Sequence, residues 1–172
     1  MSLMDDAAEP RWLTAEERQA WLRLMAVVMR LPSALDAQLH ADADLSYFEY
    51  SVMAMLSEGP KHTRRMSVVA ALTEGSLPRL SQVVSRLEKR GYITRSPDPE
   101  DGRYTLATLT EAGWQKVVAT APGHVEEVRR LVFDPLSQAQ IRQLSAIAGR
   151  ISTAIDPHDR FLNEVTGVES QD

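Results

Sequence analysis

Between residues 76 and 90 the chain carries long cations and short hydroxyls on one side of a helical repeat. Arg79, Ser81, Gln82, Ser85, Arg86 and Lys89 fall away from an apolar stripe of Leu80, Val83, Val84 and Leu87, and no carboxylate appears before Glu88. In the major groove of a duplex, arginine can pair with guanine and glutamine with adenine. Serines and a helix N-terminus, here capped by Ser76, suit phosphate contacts. A second candidate group follows closely. Arg95 precedes a turn-rich stretch, Ser96-Pro97-Asp98-Pro99-Glu100-Asp101-Gly102, and Arg103 ends it. A carboxylate two residues before an arginine, as in Asp101 and Arg103, can hold the guanidinium in one orientation. An arginine on a projecting loop can enter a narrow minor groove, where the negative potential is strongest. Taken singly, the same residues also describe a solvated helix face and a surface ion pair.

Other chemistries find little support. There is no cysteine, which excludes disulfides, thiolate catalysis and cysteine-ligated zinc. His40, His62, His124 and His158 are far apart and lack metal-ligand spacing. His62 lies in a basic stretch and could reach a phosphate. Glycine-rich phosphate loops and nucleophile-elbow spacing are absent. Glu126-Glu127 and Glu16-Glu17 are sequence neighbours, so they point to different helix sides. Neither an enzyme nor a cofactor or metal is expected. Trp21, Met25, Tyr47 and Tyr50 are candidates for lining a small-molecule pocket, although aromatic and methionine residues at helical spacing equally fit a core.

The 172 residues amount to about one domain. Their formal charge of −5 argues against a surface that coats polyanions throughout. Resolved along the chain, the charge is −6 over residues 1–60, +4 over 61–103 and −3 over 104–172. One central segment is therefore suited to a polyanion. Apolar residues make up 44%, which is ordinary for a folded protein. No apolar run approaches the roughly 18 residues that span a bilayer. The acidic opening lacks the apolar core of a secretory signal, so a cytoplasmic location is expected.

Helical patterns surround the basic segment. Thr14, Ser46 and Ser137 each stand three residues before Glu17, Glu49 and Gln140, which is capping-box spacing. Trp21, Met25, Val28, Leu35 and Leu39 keep one face apolar behind the first cap, and Pro32 predicts a kink near residues 28–32 or two shorter helices. A second helix runs from Ser46 to Gly59-Pro60. Residues 61–65 read as a connector. A short helix over 66–72, with Ser67 as its cap, leads through Thr73-Glu74-Gly75 into the helix of residues 76–90. Gly91 fits the left-handed residue that ends it. Residues 92–95 and 104–109 are strand-like and form a hairpin with a long tip. Thr110 starts another helix, in which Pro122-Gly123 predicts a bend and Asp134-Pro135 a stop. Ile141, Leu144, Ala148, Ile151 and Ile155 then form a stripe that suits helix packing.

Helix, turn, helix and hairpin is the order of a winged helix-turn-helix. The stretches Arg86-Leu87-Glu88-Lys89-Arg90-Gly91-Tyr92-Ile93, Pro97-Asp98-Pro99-Glu100-Asp101-Gly102-Arg103 and Leu109-Thr110-Glu111-Ala112-Gly113 closely resemble the MarR family of bacterial transcription regulators. The resemblance covers roughly residues 12–155. It implies a mainly α fold with a small β-hairpin wing, joined to a helical dimerisation domain. The expected division is a flexible acidic lead-in at 1–11, a dimerisation region at 12–45 and 110–156, a DNA-binding domain at 46–109 and a polar tail at 157–172. The implied function is a homodimeric, sequence-specific regulator of double-stranded DNA, a repressor reading a palindromic operator. Small aromatic acids or other compounds often modulate DNA binding in this family. The alternative is a winged-helix module that binds another protein through the same basic face. Two departures bear on the site. Gly102 stands where many members have a first arginine, and Pro78 stands where a small hydroxylated residue is common. Proline is tolerated there because that N–H lacks a helical partner.

Overall fold

The computed structural model describes residues 10–157. It forms two compact units, one through Ala34 and one from Leu35 onward. The elements in chain order are α1 (Ala15–Ala43), α2 (Tyr47–Ser57), a short 3-10 turn (Pro60–His62), β1 (Thr63–Arg65), α3 (Met66–Leu72) and α4 (Leu77–Lys89). Then come β2 (Ile93–Pro97), β3 (Thr105–Leu109), α5 (Glu111–Val128), a π-helical turn (Arg129–Phe133) and α6 (Gln138–Ile155). The expected mainly α winged helix is what forms. No helix among the described residues is long and apolar enough to cross a membrane. The expected tail lies almost wholly outside the described residues, as does most of the lead-in.

Three-residue spacing decides where several helices begin. The Thr14 hydroxyl accepts from the Glu17 N–H (3.2 Å), and Glu17 returns a carboxylate to the Thr14 N–H (2.8 Å). Ser46 with Glu49 and Ser137 with Gln140 close the same reciprocal box. Each box satisfies two N–H groups that the first helical turn leaves without partners. Pro32 does not divide α1 into two shorter helices, the alternative to a kink. Pro32 lies within α1 and Pro122 within α5, and each helix continues through it as one element. A proline removes one hydrogen bond, and here the remaining bonds of a long helix carry the chain past the gap. Ser67 does not cap α3. The cap position belongs to Arg65, which has extended backbone and makes no side-chain cap bond, because a strand runs directly into the helix there.

That strand, β1, lies in the stretch read from sequence as a connector. It pairs antiparallel with β3, and β3 pairs with β2, giving the order β1-β3-β2. The Thr63 and Thr108 hydroxyls hydrogen-bond across the first pair at 2.9 Å. At the end of β1, Arg65 reaches the hairpin. Its Nε donates to Asp98 Oδ2 at 2.6 Å, and its guanidinium lies 4.6 Å from the Tyr104 ring centre. Asp98 is 6% exposed, and its other oxygen accepts the Glu100 N–H at 2.9 Å. The Asp98 N–H donates to the Tyr104 carbonyl at 3.0 Å. One carboxylate thus folds the hairpin arm and ties it to the adjoining strand. The Glu100 N–H, and then Arg65 against the opposing effect of burial, hold the Asp98 carboxyl below its ordinary range.

The core sits in the second unit. Leu39, Leu45, Val52, Met53, Leu56, Val69, Leu80, Val84 and Leu87 are fully buried, and Ile93, Ala107, Leu109 and Val117 join them. The turn after α4 is set by Gly91, whose φ of 77° favours glycine. The Thr110 N–H and hydroxyl then bond the carbonyls of Tyr92 (3.0 Å) and Gly91 (2.6 Å). This brings the start of α5 so close that a Cβ on Gly113 would collide with the Tyr92 carbonyl oxygen.

Two outcomes are expected. Gly113→Ala lowers the unfolding free energy by about 1–3 kcal/mol, because backbone rather than a flexible side chain must move; an unchanged urea midpoint would contradict this. Asp98 has a lowered pKa, so its contribution is complete above the ordinary carboxylate value, near pH 4, and is lost as pH falls through the lowered one. Hydrogen-exchange protection of residues 93–109 should therefore hold down to about pH 4 and fall below it, whereas in Asp98→Asn it is already reduced at neutral pH. Full protection in that variant at neutral pH would refute the assignment.

Candidate nucleic-acid interface

Helix α4 presents the candidate reading surface. Its stripe of Leu80, Val83, Val84 and Leu87 is buried, so the opposite side must face out. Ser76, Arg79, Ser81, Gln82, Arg86 and Lys89 are exposed and Ser85 is half-buried. Ser76 caps the helix, its hydroxyl accepting the Arg79 N–H at 3.4 Å, and Pro78 occupies the first turn. Gln82 and Lys89 make no hydrogen bond or ion pair among the described residues, so their polar ends are available to a ligand.

The arginines are less free than their sequence suggests. Arg79 lies with its guanidinium 4.2 Å from the Phe48 ring centre. Arg86 Nε donates to Glu49 Oε1 at 3.3 Å. Arg90 Nη2 donates to the Asp44 carbonyl (2.9 Å) and to its carboxylate (3.1 Å). Arg95 donates through Nε and Nη2 to Glu88 Oε2 at 3.1 and 2.6 Å, joining the base of the wing to α4. At the wing tip, Arg103 grips Asp101 with one edge of its guanidinium, Nε donating to Oδ1 at 2.9 Å and Nη2 to Oδ2 at 2.6 Å. The Asp101 and Glu88 carboxyls lie below their ordinary range because of the bonds from Arg103 and Arg95 respectively. Five arginines of the basic segment thus carry a carboxylate partner: Arg65, Arg86, Arg90, Arg95 and Arg103. Arg103 nevertheless remains 84% exposed, so it is held and still presented.

Helix and wing candidates converge on one cleft. Ser81 of α4, Arg95 of β2 and Arg103 of the tip border a space of about 280 Å³, together with Ser67, Tyr104 and Thr105. The lining is short hydroxyls and two guanidinium groups over an apolar floor that includes Met66 and Leu77. Such a surface offers donors to an anion and little to a metal. Among the described residues no cluster of His, Asp or Glu could hold a metal ion.

The other candidates separate. Tyr47 and Tyr50, on the first turn of α2, lie beside His124 of α5, with ring centres 6.3 and 4.7 Å away. Burial pushes the His124 pKa down and the Tyr50 pKa up. Trp21 and Met25 lie on the N-terminal part of α1, where Trp21 is 51% exposed. His62 stacks on Trp114 at 4.3 Å, and its Nδ1 lies 2.9 Å from the Ser57 carbonyl. Sequence reasoning did not find Phe48, Glu49, Arg65, Glu88 or Asp98 as partners of this surface. Their contacts span 7 to 37 residues, and no short-range spacing signals them. Glu49 was visible only as a capping residue.

Comparison with known proteins places this geometry. A sequence model of the MarR family matches residues 43–103. The crystal structure of Sco3205, a MarR family transcriptional regulator from Streptomyces coelicolor in complex with DNA, is 38% identical, superposes with a TM-score of 0.82 and covers 86% of this chain and 93% of that one. AbsC, a MarR family transcriptional regulator from the same organism, is 32% identical with a TM-score of 0.80, over 85% of this chain and 98% of its own. YdcH of Bacillus subtilis, an HTH-type transcriptional regulator, is 29% identical over 128 residues, 72% of this chain and 78% of that protein. With its winged helix and relatives that are regulators rather than enzymes, the chain belongs to the MarR family of transcriptional regulators.

Proposed function

We propose that this regulator binds a palindromic duplex as a homodimer and represses transcription by occupying it. The observation that carries the reading is the outward face of α4, where Ser76, Arg79, Ser81, Gln82, Ser85 and Lys89 stand opposite the buried stripe and where Ser81 borders a cleft shared with Arg95 and Arg103 of the wing. Gln82 and Arg79 are suited to base edges. The cap serine, the other hydroxyls and Lys89 suit phosphates. Arg103, locked by Asp101 at the tip, suits a narrow minor groove. Sco3205, the relative crystallised with DNA, supports the choice of partner.

Two exposed apolar surfaces support the dimer. On α1, Trp21, Leu22, Val28 and Met29 are between 51% and 71% exposed. On α6, Leu144, Ile147, Ile151 and Ile155 are between 40% and 80% exposed, and the helix has no buried residue. Apolar stripes of this kind mark association surfaces. A two-fold dimer would set two α4 helices about 34–36 Å apart, in successive major grooves. Relief by a small aromatic compound would act at Tyr47 and Tyr50, whose rings meet His124 beside the turn that contacts α4.

Titration of a fluorescent duplex across a salt series tests this reading. Log affinity should fall against log salt by about 0.9 per phosphate neutralised. Arg103→Ala should weaken the selected and a random duplex alike and make the slope shallower by about one contact. Gln82→Ala should instead relax base preference at one position of each half-site. Absence of duplex binding at low salt, or a monomer in sedimentation at the same concentration, would overturn the corresponding half of the proposal.

A further inference from the structure

Two arginines of α4, and Arg90 directly after it, reach from the helix to the short stretch of residues 44–49. Arg79 covers Phe48, Arg86 meets Glu49, and Arg90 meets Asp44. The contacts are spaced along the helix at its first turn, its third turn and its end. Phe48 itself presses on the turn before α4. A Cβ on Gly75 would come within 2.7 Å of the Phe48 ring. Glu49 is the central point of this seam. Its side chain is 10% exposed, one oxygen accepts the Ser46 N–H at 2.9 Å and the other faces Arg86.

The two outer-face arginines use their groups differently. Arg79 lies against the Phe48 ring and its guanidinium makes no hydrogen bond among the described residues, which leaves its N–H groups for a base. Arg86 spends its Nε on a carboxylate that is already removed from water, and the pair presents little net charge to a phosphate. Base contacts tolerate little error in helix placement, whereas phosphate attraction tolerates much more. We propose that Arg86 is a positioning residue: through Glu49 it sets the pitch of α4 against α2, and so governs sequence discrimination without touching DNA. This rests on the DNA-binding reading above and gives Arg86, a candidate for direct DNA contact from its place in the sequence, a different role.

The test uses the full chain with two probes, a duplex recovered by selection from genomic fragments and a random-sequence duplex of equal length. Glu49→Gln keeps the cap, since glutamine serves at that position. Its single carbonyl oxygen is taken by Ser46, so an NH2 group then faces Arg86. Arg86→Ala and Glu49→Gln should each weaken binding to the selected duplex by about two- to thirtyfold. Random-duplex affinity and the salt slope should stay unchanged, the double variant should be no weaker than either single one, and Arg86→Lys should recover most of the loss. A salt slope shallower by about 0.9 in Arg86→Ala, with Glu49→Gln neutral or tighter, would show a direct phosphate contact and overturn the proposal. Equal loss on both duplexes in Glu49→Gln would show a general structural role and overturn it as well. If the unaltered protein binds no duplex at low salt, the DNA-binding reading fails and this one with it.

Discussion

A single carboxylate, that of Glu49, joins the start of α2 to α4. Its oxygens hold the first turn of α2 closed through Ser46 and meet Arg86 of α4. Burial alone would raise its pKa; the Ser46 N–H and hydroxyl and the Arg86 guanidinium together outweigh that and keep it below its ordinary value. The next residue back, Phe48, packs on the turn between α3 and α4, and the one before it, Tyr47, donates its N–H to Asp36 of α1 at 2.7 Å. One helical turn therefore meets α1, the helix-turn-helix and, through Tyr50 and His124, α5. A buried charge in such a place is weak evidence for added stability, because desolvation offsets much of the attraction. Its value lies in geometry, since an ionised group with few acceptable arrangements leaves α4 little freedom to tilt.

The pairing of arginines changes what the basic segment means. A count of charges suggests a patch of bare cations around residues 61–103. In the fold, most of its guanidinium groups sit against carboxylates drawn from within the segment or from the acidic stretch before it. Such pairs contribute modestly to stability when exposed. They also reduce the long-range field, so the surface would attract phosphate less indiscriminately than the count implies. On α4 itself, Lys89 and Arg79 have no carboxylate partner among the described residues, and Arg79 lies against the Phe48 ring. The segment is better described as a set of fixed arginine forks than as a basic patch.

Local signals were readable because their causes are local. All three capping boxes, the left-handed Gly91 and the turn before Ser76 follow from residues three or fewer positions apart. The α4 stripe and the Asp101–Arg103 fork were legible for the same reason. The strand β1 was not. It is three residues long, too short for a visible alternation, and its partner lies more than 40 positions away. Once that strand exists, Arg65 must be extended, and it displaces Ser67 from the cap of α3. The Arg65–Asp98 bond and the Arg86–Glu49 bond likewise depend on folded topology. At Pro32 the alternative of two shorter helices did not form, since the local penalty of the proline was smaller than the preference of the surrounding residues for one helix.

Burial is unevenly distributed between the winged part and α6. Almost all fully buried side chains belong to the end of α1, to α2–α4 and to the sheet, so the winged part owns its core. Helix α6, by contrast, runs 18 residues without burying one of them, although its apolar residues recur at three- and four-residue intervals. An isolated helix of that length is marginal in water, and most helical stability in proteins comes from packing an apolar face. Its order thus depends on a second surface in a way that the order of α4 does not. Reading DNA and ordering α6 make separate physical demands on this chain: the first is met by contacts within it, and the second asks for apolar surface to cover Leu144, Ile147 and Ile151.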